Sequence, residues 1–279
     1  MMKRWQYLTK QNLASSRVPY LSRRTGKTLI ILSAFMALLC LAPPAWSAKT
    51  QDETSLSRDI TPQALLAFNK GLHLEKEGKY QEAILAFQEA ARLQPNYAEP
   101  CLHLGLAFAF LKQYPQAVEA FKETVRLQPR WVAARENLGA ALSKMGQWPE
   151  ALAEFQEAVR LRPDRGEAHY LLGIALGKLQ RHQEAMQAFT QAVKLQPDSV
   201  KAFNNLGMAY VKLGRWQDAG NSFKKAIKLK PDDAQAHYGL CAYYLQVGDR
   251  EAATGEYQTL QRLDPKMAKE FADLLQKSP

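Results

Sequence analysis

The sequence is poor in the residues that catalysis and metal binding use. It holds three cysteines and five histidines in 279 residues, and the histidines are dispersed along the chain. No cysteine and histidine pairs have the close spacing of a zinc site, and no catalytic constellation is recognisable. We therefore expect a non-enzymatic protein with no catalytic residue, no metal site and no cofactor.

Long apolar runs are also lacking. The longest, Leu29–Ala42, has 14 residues, whereas a membrane-spanning helix needs roughly 20. Seven basic residues and no acidic one precede this run, and small residues follow it. This order predicts a signal peptide over residues 1–48, cleaved near residues 47 and 48, with no stable membrane span afterwards. The export route stays open, because Ser22-Arg23-Arg24 matches a twin-arginine signal only in part.

Strong net charge is absent once that segment is removed. Residues 49–279 contain 30 basic and 27 acidic residues, so nothing in this balance favours a nucleic acid partner. Four lysines close together in sequence are the exception: Lys224, Lys225, Lys228 and Lys230. A solvated outer face is the favoured interpretation of these lysines, and a docking patch for an acidic partner or an anionic lipid is the alternative. The polar residues 49–61 indicate a flexible linker.

The chain does contain a strict repeat. Six prolines are equally spaced, each 34 places after the one before, namely Pro95, Pro129, Pro163, Pro197, Pro231 and Pro265. At fixed distances ahead of these prolines stand a glycine in five cases, an alanine in all six and a phenylalanine in five. A fixed period of roughly 20–50 residues indicates a stacked repeat array. Such arrays bind other molecules through extended surfaces.

Each repeat has the pattern of two helices. Gly139 and Leu142 share one face of a first helix, and Ala151 and Phe155 share one face of a second. Small residues let the two backbones approach, and the aromatic ring fills the gap between neighbours. The repeated proline ends the second helix, because it cannot continue the hydrogen-bonded interior.

The ends of these helices carry their own signals. Glycines between the two helices permit a turn in four repeats: Gly78, Gly146, Gly214 and Gly248. The polar residues directly after four prolines are the expected N-caps of the next helix: Asn96, Asp164, Asp198 and Asp232. Thr61 and Pro62 are expected to be the N-cap and first residue of the first helix.

These recurring residues resemble the tetratricopeptide repeat family, which has Leu-Gly, Ala, Phe, Ala and Pro in the same places. The resemblance implies an all-α fold, a right-handed α-solenoid of six helix–turn–helix units over residues 62–265. The units span about residues 64–97, 98–131, 132–165, 166–199, 200–233 and 234–267. A further amphipathic helix at residues 266–279 is expected to cap the open end of the core. Cys101 and Cys241 occupy core positions four units apart, too distant for one disulfide, so we expect inert buried thiols.

In this family the first helices line the concave face, and ligand contacts come from residues around the Leu-Gly pair. The resemblance therefore implies a partner-binding surface that includes Asn69, His103, Asn137, Lys144, Tyr170, Lys178, Asn204, Asn205, Lys212 and Tyr238. Asn69, Asn137 and Asn205 lie two residues before the repeat glycine in units one, three and five. An asparagine amide both donates and accepts, so a row of them can hold an extended peptide backbone. Asparagines that are only solvated, or that satisfy neighbouring helix ends, are an equally open interpretation.

The sequence leads to one main hypothesis and two alternatives. The main hypothesis is an exported, non-enzymatic adaptor of the bacterial periplasm or cell envelope, whose groove binds an extended segment of a protein or peptide partner. One alternative is a structural assembly factor of an envelope complex that acts through its convex face. The other is an accessory module of a separate envelope enzyme.

Overall fold

A computed structural model describes residues 60–277, and their side chains up to residue 272. The signal peptide predicted for residues 1–48 and nearly all of the linker predicted for residues 49–61 lie outside the described residues. Both therefore stay predictions.

The described residues form thirteen α-helices and no strand, which confirms the predicted all-α class. The helices are α1 (Pro62–Lys76), α2 (Tyr80–Leu93), α3 (Ala98–Phe110), α4 (Tyr114–Leu127), α5 (Val132–Lys144), α6 (Trp148–Leu161), α7 (Gly166–Lys178), α8 (His182–Leu195), α9 (Val200–Lys212), α10 (Trp216–Leu229), α11 (Ala234–Gln246), α12 (Arg250–Leu263) and α13 (Pro265–Lys277). Helices α1 to α12 form six consecutive pairs, one for each repeat, and α13 follows the last pair.

The pairs stack in chain order to form the expected α-solenoid. Each second helix packs between the first helix of its own unit and the first helix of the next. From α3 onward the first helices of successive units also contact one another directly. The solenoid thus has a face built by the first helices, on their side turned away from the second helices. We call this surface the first-helix face.

The closest packing within a unit joins a glycine of the first helix and a phenylalanine of the second. A Cβ atom added at this glycine would lie 2.4 to 2.6 Å from a ring carbon of the phenylalanine. The five pairs are Gly71–Phe87, Gly105–Phe121, Gly139–Phe155, Gly173–Phe189 and Gly207–Phe223. All five rings are buried. The close helix approach predicted from the small residues is therefore confirmed, and only glycine fits it.

The predicted helix starts are right at one place and wrong at four. Thr61 caps α1, since its Oγ1 accepts from the Ala64 N–H at 3.3 Å and Pro62 begins the helix. After four of the six repeat prolines, however, the N-cap lies one residue later than predicted. The four residues predicted as caps, Asn96, Asp164, Asp198 and Asp232, form a two-residue turn with the preceding proline. The caps are instead Tyr97, Arg165, Ser199 and Asp233.

The turn between the two helices of a unit requires a left-handed residue. The four predicted glycines adopt φ values of 71° to 82°, as a turn of this kind needs. At the same place in units two and four, Lys112 and Gln180 adopt φ values of 61° and 62°. Lys112 and Gln180 therefore adopt a backbone conformation that is unfavourable for a residue with a Cβ atom.

The last helix covers the end of the core. Phe271 and Ala268 of α13 are buried against Cys241 and Leu260 of unit six, and Tyr238 and Tyr257 pack around this cluster. The side of α13 that carries Lys266, Lys269 and Glu270 is exposed. The expected C-terminal helix is thus confirmed, with an apolar side on the core and a polar side toward solvent.

Gln180→Gly is expected to raise the free energy of unfolding by about 0.5–1 kcal/mol. A left-handed residue with a side chain costs about 1–2 kcal/mol, and the added flexibility of glycine in the unfolded chain returns part of this gain. Urea unfolding monitored by circular dichroism measures the difference. Gly146→Ala is the matched control at the same repeat position and is expected to lower stability by about 1 kcal/mol. An alanine Cβ at Gly146 would meet no atom within 4 Å, so this control measures the cost of the left-handed backbone conformation. A loss of stability in Gln180→Gly would contradict the prediction.

Candidate functional site

The three repeated asparagines lie at equivalent positions of α1, α5 and α9. Asn69 is exposed, and Asn137 and Asn205 are half-buried. The Asn205 amide nitrogen donates to the Lys201 carbonyl at 2.9 Å, which leaves its oxygen able to accept from a ligand. Equivalent positions on parallel first helices place the three amides along the first-helix face, one in every second unit.

Histidine takes the same position in unit two and makes a contact between units. The His103 ring nitrogen Nδ1 lies 2.9 Å from the Glu75 Oε2 of unit one. The ring also packs edge-on against Phe68 and tilted against Phe87, each at 5.4 Å between ring centroids. His103 therefore joins α1, α2 and α3, and only part of its ring is exposed.

Three other predicted partner-binding residues, one position earlier on their helices, turn into the stack. Tyr170 is buried beside Phe189, with ring centroids 6.0 Å apart. Asn204 is 2% exposed, and Tyr238 packs edge-on against Phe271 of α13 at 5.4 Å. Tyr170 contacts a ring of its own unit, Asn204 is buried, and Tyr238 contacts the helix that follows its unit. The surface candidates on the first-helix face are therefore the asparagine positions and their neighbours.

A series of junctions links the position of Asn204 to the residue that caps the first helix of the next unit. Phe68 contacts Tyr97 edge-on at 5.2 Å. In unit three, Arg165 donates to both carboxylate oxygens of Glu136 at 2.6 and 2.9 Å. The junction is thus apolar in one unit and ionic in another. This pairing was not predicted from the sequence, although the two partners are always 29 residues apart, a separation that is visible once the repeats are aligned.

The junction of unit five is polar and incompletely satisfied. The Asn204 amide nitrogen donates to Asp233 Oδ1 at 2.7 Å, and the same carboxylate oxygen caps α11 through the Ala236 N–H at 3.1 Å. The Asn204 Oδ1 is buried and has no hydrogen-bond partner among the described residues. An unsatisfied buried acceptor costs roughly 1–3 kcal/mol, so this junction is less well satisfied than the ionic one.

Burial dominates the electrostatics of Glu136. Its side chain is 6% exposed, and desolvation raises the pKa of the carboxyl although the Arg165 guanidinium lowers it. The raised pKa shows that the arginine offsets only part of the desolvation of the ionised form. The fold therefore tolerates the ionised Glu136 carboxylate only while Arg165 is paired with it.

The predicted lysines lie exposed at the C-terminal ends of the first helices. These residues are Lys144, Lys178 and Lys212. The Lys178 Nζ lies 5.7 Å from the centre of the Trp148 ring, which begins the preceding second helix. Phe110 stacks on Tyr80 at the same two repeat positions, at 3.8 Å between centroids. Lys178 thus lies over the aromatic ring of Trp148, a contact that was not predicted from the sequence.

The two cysteines of the described residues are buried free thiols, as predicted. Burial raises the pKa of Cys101 to about 11 and that of Cys241 to about 12. Both thiols therefore stay protonated and unreactive near neutral pH.

Residues 60–277 contain neither a metal-ligating cluster nor a helix that could span a membrane. No group of three or more metal-ligating side chains lies together in this part of the chain. None of its helices is long and apolar enough to cross a membrane.

Residues 34–273 match the sequence model of the family described as cilia and flagella-associated protein 70 C-terminal domain. The match extends over α1 to α12 and most of α13, and it begins inside the segment predicted to be a signal peptide. A comparison with curated proteins finds no significant match.

Solved structures share the architecture. MamA from Desulfovibrio magneticus RS-1 is 29% identical with a TM-score of 0.59, over 63% of this chain and 99% of that chain. YrrB, described as a TPR protein with an unusual peptide-binding site, is 22% identical with a TM-score of 0.58, over 67% of this chain and 98% of that chain. The type IV pilus biogenesis factor PilW is 19% identical with a TM-score of 0.66, over 76% and 99% of the two chains. The fold is therefore that of the tetratricopeptide solenoids.

Arg165→Ala is expected to lower the free energy of unfolding at pH 7 by about 3 kcal/mol, because it leaves a buried carboxylate unpaired. The loss relative to wild type should shrink at pH 5. A carboxyl whose pKa is higher in the folded than in the unfolded chain favours folding as the pH falls. Chemical unfolding of both proteins at the two pH values measures this change.

The double variant Glu136→Gln with Arg165→Ala is the control for this experiment. It removes the titrating carboxyl, so its loss of stability relative to wild type should not shrink at pH 5 as that of Arg165→Ala does. An equal loss for Arg165→Ala at both pH values would contradict the assignment of a buried, partner-dependent Glu136 carboxylate.

Proposed function

Since the chain belongs to the tetratricopeptide-repeat family of the cilia and flagella-associated protein 70 C-terminal domain, we propose that it is a non-enzymatic scaffold that binds an extended segment of a partner protein on its first-helix face. Solenoids of this kind use extended preformed surfaces for binding. The observation that carries the proposal is the row of Asn69, Asn137 and Asn205. These amides occupy the same position in alternate units, and none is fully buried.

The spacing of the row suits an extended peptide. Packed helices lie roughly 8–10 Å apart, and first helices of successive units are in contact from α3 onward, so amides two units apart are separated by about 20 Å. An extended chain advances roughly 3.3 Å per residue. Each asparagine would therefore meet the peptide backbone about every sixth residue, which favours recognition of backbone groups over a particular sequence.

Apolar side chains near the asparagines supply contacts for the partner's side chains. Leu65 lies one helical turn before Asn69, and Met208 lies three residues after Asn205. Their exposed fractions are 43% and 36%. Phe110, at the end of α3, is 38% exposed. A partner segment with alternating apolar side chains would bury these surfaces while its backbone faces the amides.

A non-enzymatic role, with no cofactor, agrees with what the candidate reactive groups do. His237 holds its surroundings together, since its two ring nitrogens lie 2.9 Å from the Pro231 carbonyl and 2.5 Å from Glu256 Oε2. His103 joins units one and two, as described above. The thiols of Cys101 and Cys241 are buried and protonated. These groups therefore serve packing, and none is presented to a substrate.

Export to the periplasm or cell envelope of a bacterium is part of the proposal. It rests on the composition of residues 1–48, which has the order of a cleavable signal. The family match begins at residue 34, so the two interpretations overlap over residues 34–48. N-terminal sequencing of the protein isolated from envelope fractions distinguishes them: a mature chain that begins near residue 48 supports export with cleavage.

The triple variant Asn69→Ala, Asn137→Ala and Asn205→Ala is expected to weaken partner binding by about tenfold to a hundredfold, since each lost hydrogen bond costs about 0.5–1 kcal/mol. The partner is first identified by crosslinking and peptide identification from the envelope fraction, and affinity is then measured by calorimetry. Asn96→Ala with Asn221→Ala is the matched control, because both asparagines are exposed away from the first-helix face. Unchanged affinity in a folded triple variant would rule out the asparagine row of the first-helix face as the binding site.

A further inference from the structure

Within residues 49–279 the excess positive charge is concentrated in unit five. Residues 200–233 contain seven basic and three acidic residues, whereas residues 49–279 as a whole contain 30 and 27. Without this unit the rest of that segment has one more acidic than basic residue. The excess charge therefore belongs to one unit and not to the array.

The second helix of this unit breaks a charge pattern of the earlier units. In units one to three, a glutamate and an arginine three residues apart form a bidentate ion pair on the second helix: Glu89–Arg92, Glu123–Arg126 and Glu157–Arg160. Lys225 and Lys228 occupy these two positions in unit five. Like charges at this spacing destabilise a helix. Lys225 and Lys228 therefore destabilise α10, whereas the ion pairs of units one to three do not destabilise their helices.

The lysines of α10 have no carboxylate partner in the part of the chain that the structure describes. No ion pair joins Lys224, Lys225 or Lys228 to any described carboxylate, and the Nζ of the following Lys230 lies 3.5 Å from Asp233 Oδ2. All four side chains are exposed. We call Lys224, Lys225 and Lys228 the lysine patch.

The packing beneath the lysine patch differs from that of the earlier units. Gly220 of α10 occupies a position held by a large apolar residue in units one to four: Ile84, Val118, Leu152 and Met186. Tyr243 of α11 occupies a position held by alanine in units two to five: Ala107, Ala141, Ala175 and Ala209. The two exchanges compensate in size, since a Cβ atom at Gly220 would lie 2.9 Å from the Tyr243 ring.

This exchange places an aromatic support under one lysine. The Lys224 Nζ lies 5.5 Å from the Tyr243 ring centre and 5.3 Å from that of Tyr244. The Tyr243 hydroxyl donates to the Gln217 side chain at 3.0 Å, which fixes the ring. A cation held over two rings loses less side-chain freedom when it binds an anion.

We propose that the lysine patch on α10 is a docking site for an acidic segment of a partner protein, rich in aspartate and glutamate. Three lysines within two helical turns present a compact target that a few neighbouring carboxylates can match. An anionic membrane is a poorer match, because the remainder of residues 49–279 has no net positive charge to extend the attraction. Helices that bind a membrane surface also insert a broad apolar face, whereas Leu229 is the one large apolar side chain of α10 that is exposed.

Binding of a labelled octaglutamate peptide to the full chain, measured by fluorescence anisotropy at low ionic strength, tests this proposal. Lys225→Glu should weaken binding by about tenfold, because it reverses one charge of the patch. The same change recreates the glutamate and basic residue pair of units one to three, so its melting temperature should not fall. Added salt should weaken wild-type binding, since the screening length is about 8 Å at physiological ionic strength.

Lys194→Glu is the matched control, since Lys194 occupies the position of Lys228 in unit four and is exposed. It changes the net charge by the same amount and should leave the affinity within about twofold of wild type. Equal loss of peptide affinity in both variants would contradict the proposal, because only the net charge would then matter. Unchanged affinity in Lys225→Glu would exclude the lysine patch as the binding site. Binding to phosphatidylserine-containing vesicles that depends on Lys225, with no binding of the peptide, would overturn the proposal in favour of a membrane.

Discussion

The contact between a first-helix glycine and a second-helix phenylalanine sets the geometry of the units. The ring fills the space that a Cβ atom would occupy, as at Gly139 and Phe155, so the two helices approach more closely than any other residue would allow. Phe223 also packs against Gly239 of the next unit, which carries the same constraint across a junction. Because this contact lies inside the core of the unit, the outward positions are free to differ between units.

The junctions between units show how much the residues outside the glycine–phenylalanine contact differ from unit to unit. One repeat position pairs with the start of the next unit as two aromatic rings in unit one, an ion pair in unit three and an amide with a carboxylate in unit five. These pairs border the first-helix face, so they set the chemistry beside any ligand bound there. The ionic pair at Glu136 is well satisfied but desolvated, and the amide at Asn204 is left with one unpaired oxygen among the described residues.

The fold could be predicted almost entirely, since the repeated glycine, phenylalanine and proline each have a local reason. The N-caps after the prolines were placed one residue early because proline and its successor form the turn together. The candidate surface was predicted less well. Asn69 and Asn205 lie on the first-helix face, but Tyr170 is buried beside Phe189 of its own unit and Asn204 is buried beside Asp233, the N-cap of the next first helix. The pattern within one helix does not reveal neighbours that lie 19 and 29 residues further along the chain.

The sequence by itself determined the number of units, the helices within them and the close glycine contacts, because helix periodicity and backbone sterics act over a few residues. Only the tertiary structure decided which polar side chains meet. Arg165 reaches Glu136, and Tyr243 supports Lys224, across distances in the chain that no local preference encodes. The surface left for a partner is what remains after those long-range contacts form, and this is why function depends on the stack as well as on the repeat.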